Sequence, residues 1–316
     1  MKICLIGPGI MPIPPNGWGA VEMLIWDYYN ILTSLGHNVE IVNTPNRREI
    51  IEIVNNGAFD ALHLHYDVFS DLMPLLNAKV KILSSHYPFI SFPDRYRYDG
   101  YDAQINNIVK NKDFYIFASS ENDINTFVNF GANRENTFLS KLGVKYDSYN
   151  YLEKPTYDKT LCFSQIVNRK RQFLIQDLDE VDFFGRRDDS SFSNLKNYKG
   201  EVSREFLNEE ITKYSNFILL SSVENTTPLV VKEALVCGLG VVVTEPVALE
   251  LDKNLDFITI IEEDKVNDLD YLREKIKLNK KTSLIKRDEI RKYGIDNFSV
   301  ESILKNEYVK KIESLL

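Results

Sequence analysis

Residues 216–245 read NFILLSSVENTTPLVVKEALVCGLGVVVTE. An apolar run, NFILLSS, passes into a polar loop, then into an amphipathic stretch from Pro228 to Cys237, and then into a second β-branched run, LGVVVTE. Proline is favoured in the first turn of a helix, where its missing N–H costs nothing, so the order predicted is strand, loop, helix, strand. A helical crossover joins parallel strands, which places the segment in an α/β fold.

The same alternation extends in both directions. Upstream lie TLCFSQI, VDFFG and a helix near Ser203–Lys213, and downstream lie FITII and two helical stretches, with a last amphipathic one over 300–316. The first half carries KICLI, a helix from about Gly19 to Leu35, NVEIVN, a helix near Arg48–Asn56, ALHLHY, KILSSH, FYIFASS, a helix beginning near Glu121, and TFLSKLGV. Between the halves DSYNYLEKPTYDK, residues 147–159, is polar and tyrosine-rich and holds Pro155, which reads as a linker. The expected architecture is α/β, with two Rossmann-like doubly wound domains facing across a cleft. They span 1–150 and 151–299, and a C-terminal helix over 300–316 packs back toward the first. Ligands of such sheets bind outside the carboxyl ends of the strands, so the chemistry is sought in strand-to-helix loops.

Composition narrows the function. With 38 basic against 46 acidic residues the net charge is −8, which offers no broad field for nucleic acid phosphates. Cys4, Cys162 and Cys237 sit in apolar runs without metal-ligand spacing and read as reduced core thiols, from which a cytoplasmic location is expected. No segment approaches the run of roughly 18 apolar residues that a spanning helix needs, so at most a peripheral membrane contact is expected.

Two loops stand out. GPGIMPIPPNGWGAVE follows the first strand, and its Gly17 and Gly19 open the helix, where backbone amides can approach an anion. Pro12 stands where a dinucleotide fingerprint needs its third glycine, and the next strand ends in Asn43 and Thr44 rather than an acid, which disfavours a nicotinamide dehydrogenase. The second loop carries Glu224, Asn225, Thr226, Thr227, Pro228 and Leu229, and leads to Glu233 on the helix. One carboxylate on the loop and another about one and a half turns along the helix can grip hydroxyls, while the amides at the helix N-terminus suit a diphosphate.

This segment resembles the double-glutamate motif of family 4 retaining glycosyltransferases. The resemblance extends through the first loop, DALHLHYD, SSHYPF, ASSEND, FLSKLGV and SQIVNRKRQ, and so covers both domains. It implies the GT-B fold and a hexose-type transfer from a nucleotide-diphosphate sugar, UDP- or GDP-linked. The acceptor implied is a glycan or another hydroxyl, free, lipid-linked or protein-linked, and no further cofactor or metal is expected. Glu233 would then hold the ribose, Glu224 the sugar, and His86, which ends KILSSH, would hydrogen-bond the transferred sugar.

The sequence departs from that pattern twice. Eight residues separate Glu224 from Glu233 where the family has seven, so strict spacing puts Asn225 in the first position. In SQIVNRKRQ, Ser164 and Gln165 replace the family's glycine and arginine, leaving Lys170, with Arg169 or Arg171 beside it, to supply charge to a leaving diphosphate. The resemblance implies that the acceptor attacks from the face the diphosphate leaves, so no dedicated base is required. Two rivals stand beside this reading: a nucleotide-sugar epimerase on the same fold, and a degenerate, non-catalytic nucleotide-sugar-binding protein. His63 and His65 read as structural. The aromatic stretch YPFISFPDRYRYDGYD reads as an acceptor-side lid or as a packing patch.

Overall fold

Every strand described pairs in parallel with its neighbours, as the crossover pattern requires. The computed structural model describes residues 1–16 and 19–316. The chain divides into two units, Met1–Leu142 with Val300–Leu316, and Gly143–Ser299.

Unit 1 runs β1 (Lys2–Ile6), α1 (Ala20–Ser34), β2 (Asn38–Val42), α2 (Arg47–Gly57), β3 (Phe59–Leu64), β4 (Ala78–Leu83), α3 (Tyr96–Asp99), α4 (Asp102–Lys110), β5 (Tyr115–Ala118), α5 (Glu121–Asn129) and β6 (Thr137–Leu139). The sheet order is β2-β1-β3-β4-β5-β6. Side chains alternate between two buried faces. Ile3 and Leu5 pack with Leu24, Ile25 and Leu32 of α1, whereas Cys4 and Ile6 pack with Ile50, Val54, Ile105 and Phe127 on the other side. Burial on both faces is why these strands read as continuous apolar runs. Helix starts follow capping chemistry: the side chains of Asn46 and Ser120 accept from the first amides of α2 and α5.

Unit 2 runs β7 (Thr160–Phe163), β8 (Val181–Phe184), α6 (Arg204–Glu210), β9 (Asn216–Leu219), α7 (Leu229–Val236), β10 (Gly240–Thr244), β11 (Ile258–Ile261), α8 (Leu269–Ile285) and α9 (Arg287–Phe298), with sheet order β11-β10-β9-β7-β8. One face buries Phe217, Leu219 and Val241 under Val231 and Leu235 of α7 and Ile290 of α9, and the other buries Cys162, Ile218 and Val242 under Leu272 and Ile276 of α8. Residues 147–159 are sewn to this unit: Asn150 N–H donates to Asn208 O at 3.0 Å, Leu152 N–H to Thr212 Oγ1 at 2.8 Å, and Tyr157 N–H to Lys213 O at 2.8 Å.

The C-terminal segment, α10 (Val300–Ile303), a π turn (Leu304–Tyr308) and α11 (Val309–Leu315), places Val300, Leu304, Tyr308 and Ile312 in the unit 1 core beside α1. Helix α4 has no counterpart in the sequence reading. The aromatic stretch before it contributes Tyr96 and Tyr101 to the core, with Tyr87 stacked on Tyr101 at 4.0 Å, and only Tyr98 stands fully out at 86% exposure. Among the described residues no helix is long and apolar enough to cross a membrane, and no cluster of three or more metal-ligating side chains occurs.

Candidate functional site

In a doubly wound sheet the crevice opens where the strand order reverses. In unit 2 the chain proceeds from β7 outward to β8 and then returns to β9 on the other side of β7, so the loops after β7 and β9 flank the reversal. They are bonded together. Ser222 N–H donates to Arg169 O at 2.7 Å, and Arg169 Nη1 donates to Val223 O at 3.0 Å and to Glu224 Oε1 at 2.5 Å. Gly185, at φ 134°, permits the approach from the β8 side, because a Cβ there would stand 2.0 Å from Ser164 O.

The three bases of the NRKR turn have different fates. Arg169 pairs with Glu224, whereas Arg171 turns to Glu263, whose carboxylate accepts from its guanidinium at 2.5 and 3.0 Å. Lys170 is half-buried, and among the described residues it has no carboxylate within 4.0 Å. Burial lowers its pKa below the usual lysine value, and the charge of Glu224 opposes that shift. Gln165, which stands at the family's arginine position, donates to Asp188 Oδ2 at 2.6 Å, and Ser164 Oγ accepts from Gln172 at 2.9 Å.

Pro228 occupies the N-cap position of α7 without a side-chain cap bond, one place before the helix rather than inside its first turn, and Leu229 is the first helical residue. The helix leaves its first amides without intrahelical acceptors. Thr226 and Thr227 are buried and engaged by Glu250: Thr226 Oγ1 donates to Glu250 Oε2 at 2.6 Å, and Thr227 Oγ1 accepts from Glu250 N–H at 3.0 Å. Glu250 also binds Lys232 Nζ at 2.6 Å, a lysine with no solvent exposure. These hydroxyls therefore shape the loop from inside. Asn225 is half-buried next to Glu224.

Glu233 projects from α7 with its side chain only 3% exposed and meets the Arg204 guanidinium, which also contacts the Tyr149 hydroxyl. Glu233 Oε2 is buried with no hydrogen-bond partner among the described residues. Burial, and then the negative charge of Glu233, push the Tyr149 hydroxyl well above the usual tyrosine range. Neither Arg204 nor Tyr149 was singled out in the sequence. One signal was there to read: Arg204 follows the N-cap Ser203, and a cation in a helix's first turn opposes the helix dipole unless an anion compensates it.

In unit 1 the reversal falls between β1 and β3. Gly9, at φ 70°, would place a Cβ 2.3 Å from the Thr44 carbonyl carbon, and its N–H donates to Asn43 Oδ1 at 2.8 Å. This glycine serves the packing of the loop on the end of β2. Gly19 precedes α1 with its carbonyl accepting from Met23, and Gly17 lies outside the described residues. Beside that loop, His65 Nδ1 and His86 Nε2 share a hydrogen bond at 3.3 Å with the rings stacked, and His65 Nε2 is buried without a partner among the described residues. His63 is bonded on both sides, to Ser84 Oγ at 2.9 Å and to the Tyr308 hydroxyl at 3.0 Å. Ser84 gives its proton to Phe117 O at 2.8 Å, so His63 must donate to Ser84 through Nε2 and accept from Tyr308 at Nδ1. Burial depresses all three histidines, His86 to about 4, so the cluster is neutral at pH 7.

No family model matches the chain, and no curated protein matches it in sequence. Solved structures do match its fold. HepE from Anabaena, in complex with UDP and glucose, is 15% identical with a TM-score of 0.74, and the match covers 100% of both chains. Sucrose-phosphate synthase from Thermosynechococcus elongatus is 12% identical with a TM-score of 0.75 and 100% coverage of both. AviGT4, a glycosyltransferase involved in avilamycin A biosynthesis, is 15% identical with a TM-score of 0.70, covering 99% of this chain and 97% of its own. The chain thus has two parallel-sheet α/β units of the GT-B class. At these identities the likeness is one of fold.

Proposed function

We propose that this chain is a retaining glycosyltransferase that takes a hexose-type sugar from a nucleotide diphosphate. The observation that carries the reading is Lys170, on the turn after β7 beside Arg169, a half-buried cation with no carboxylate within 4.0 Å among the described residues, though near enough to Glu224 to feel its charge. A diphosphate supplies the missing negative charge, and Arg169 and the first amides of α7 extend the cradle. Glu224 would receive sugar hydroxyls, its contact with Arg169 making it a better candidate than Asn225, and Glu233 with Arg204 would fix the ribose. His86, neutral, is assigned a hydrogen bond to the transferred sugar. UDP-glucose bound to HepE supports a UDP-sugar as donor. In the step itself the anomeric C–O bond to the diphosphate breaks and a bond to the acceptor oxygen forms on the same face. The acceptor's proton passes to the departing diphosphate, whose growing charge Lys170 stabilises. A cytoplasmic location and a glycan, lipid-linked or protein-linked acceptor complete the proposal.

The engagement of Gln165 by Asp188, where the family has an arginine, favours one rival, a non-catalytic binder of the same donor. A screen of UDP-, GDP-, ADP- and CDP-sugars for nucleotide release, with Glu233→Ala as control, separates the two. Release from one donor that is lost in the variant supports the transferase, and tight binding without release supports the binder. No binding to any of the four removes both.

A further inference from the structure

Unit 2 holds a second recess, of about 450 Å³, on the side of the sheet covered by α6. Its floor lies toward the N-terminal ends of the strands, whereas the Arg169–Glu224 loops follow the C-terminal ends. Lys159 immediately precedes β7, Asp182 is the second residue of β8, and Tyr214 shortly precedes β9. Asp182 is 5% exposed and accepts from Lys159 Nζ at 2.6 Å and from the Tyr214 hydroxyl at 3.1 Å, with Lys199 Nζ at 3.7 Å. Glu210, on α6, is 8% exposed and bonds Lys213 at 2.7 Å. Above this floor stand two aromatic rings that the fold leaves open, Tyr157 at 36% and Phe206 at 43% exposure. They are held from behind, Tyr157 edge-on against Tyr214 at 5.1 Å and Phe206 against Phe184 at 6.0 Å.

The lining restricts the ligand by elimination. Asp182 is met by Lys159, Lys199 and the Tyr214 hydroxyl, and Glu210 by Lys213, so each charge in the lining already has a partner and no bare charge selects an ion. A purely apolar occupant would strip water from the lysine–aspartate group and return no hydrogen bond, which is costly. The remaining chemistry is neutral and rich in hydroxyls that donate to carboxylates and accept from ammonium groups, with a C–H face that rests on an aromatic ring. We infer that this recess binds a neutral saccharide. Its volume lies in the range of about 300–1,000 Å³ usual for small-molecule sites. The inference stands apart from the transferase reading, because none of its lining residues belongs to the proposed donor site.

Saturation-transfer NMR on the full chain with maltose, cellobiose and lactose, and with citrate as an anionic probe, tests it. At least one disaccharide is expected to receive saturation, to be retained by Glu233→Ala, and to bind roughly five- to tenfold more weakly in Phe206→Ala and Tyr157→Ala. Phe206→Leu, which keeps the bulk and removes the ring, covers the case in which the alanine variant fails to fold. Saturation of none of the three disaccharides, saturation indifferent to both aromatic variants, or preferential binding of citrate overturns the inference. Saccharide binding at Phe206 in a protein that releases no nucleotide would leave this site standing while removing the transferase reading, and nucleotide release without saccharide binding would do the reverse.

Discussion

Lys170 carries its charge into a half-buried turn with no carboxylate within 4.0 Å among the described residues, while Arg169 and Arg171 are each met by a glutamate. An unpaired, partly desolvated ammonium adds little to the stability of the fold. Lys170→Ala should therefore leave the urea midpoint unchanged or slightly raised while lowering nucleotide release by roughly 100-fold or more, the effect of removing a charge from a developing anion. A large loss of stability in this variant would mean that Lys170 is a structural cation. Arg204 has the opposite character, because it covers a glutamate that is almost wholly buried. Arg204→Met leaves that carboxylate uncompensated and should cost about 2–3 kcal/mol in equilibrium urea unfolding, the partial exposure of Arg204 holding the figure below that of a fully buried pair. Glu233→Gln in the same background should recover most of it.

Among the elements, the C-terminal segment shows most directly what one turn of helix decides. The sequence read it as a single amphipathic helix, and its apolar side does enter the unit 1 core, but Leu304–Tyr308 is a π turn. The Tyr308 hydroxyl from that turn donates to the Nδ1 of His63, a residue 245 positions away. Tyr308→Phe keeps the ring and removes the proton, leaving a buried imidazole nitrogen unsatisfied, and should destabilise unit 1 by about 1–3 kcal/mol. The measurement is a urea titration followed by tryptophan fluorescence. An unchanged midpoint would mean that water replaces the hydroxyl. Elements with strong local signals, β10 and α7 above all, were legible because their runs are uniformly apolar or open on a proline. Helix α4 was not, because QINNIVK buries only Ile105, Ile108 and Val109 and follows an aromatic stretch that draws the eye as a lid. Tyr96 and Tyr101 turn inward there because the space beneath them is apolar and Asp67 accepts from the Tyr101 hydroxyl at 2.7 Å.

At the scale of the molecule, the four histidines all fall in unit 1, and so does Trp26, while the sequence of unit 2 holds no tryptophan. His63 and His65 are buried with pKa values well below the ordinary 6.5, so the unfolded chain binds protons that the folded unit refuses. Stability is then complete above about pH 6.5 and is lost as pH falls, at up to about 1.4 kcal/mol per pH unit for each of the two, and His86, lowered to about 4, adds in the same direction. Unit 2 has no histidine and no such term. Between pH 7 and pH 5 the urea midpoint reported by tryptophan fluorescence should fall, while the part of the far-UV circular dichroism transition contributed by unit 2 should move less. Coincident shifts in both signals would mean that the two units unfold together.

The sequence by itself determined the alternation of strands and helices, the parallel sheets, the division into two α/β halves, and the loops in which charged groups gather. These follow from local periodicity, caps and turn residues, which act over a few neighbouring positions. Only the tertiary structure decided what each charge meets. It sent Arg169 to Glu224 and Arg171 to Glu263, left Lys170 with no carboxylate within 4.0 Å among the described residues, and closed Thr226 and Thr227 onto Glu250. It also brought Arg204 to Glu233, 29 positions apart, and Tyr308 to His63. Such pairings depend on which strands are neighbours in the sheet and on how deeply each group is buried, and neither quantity exists until the chain has folded.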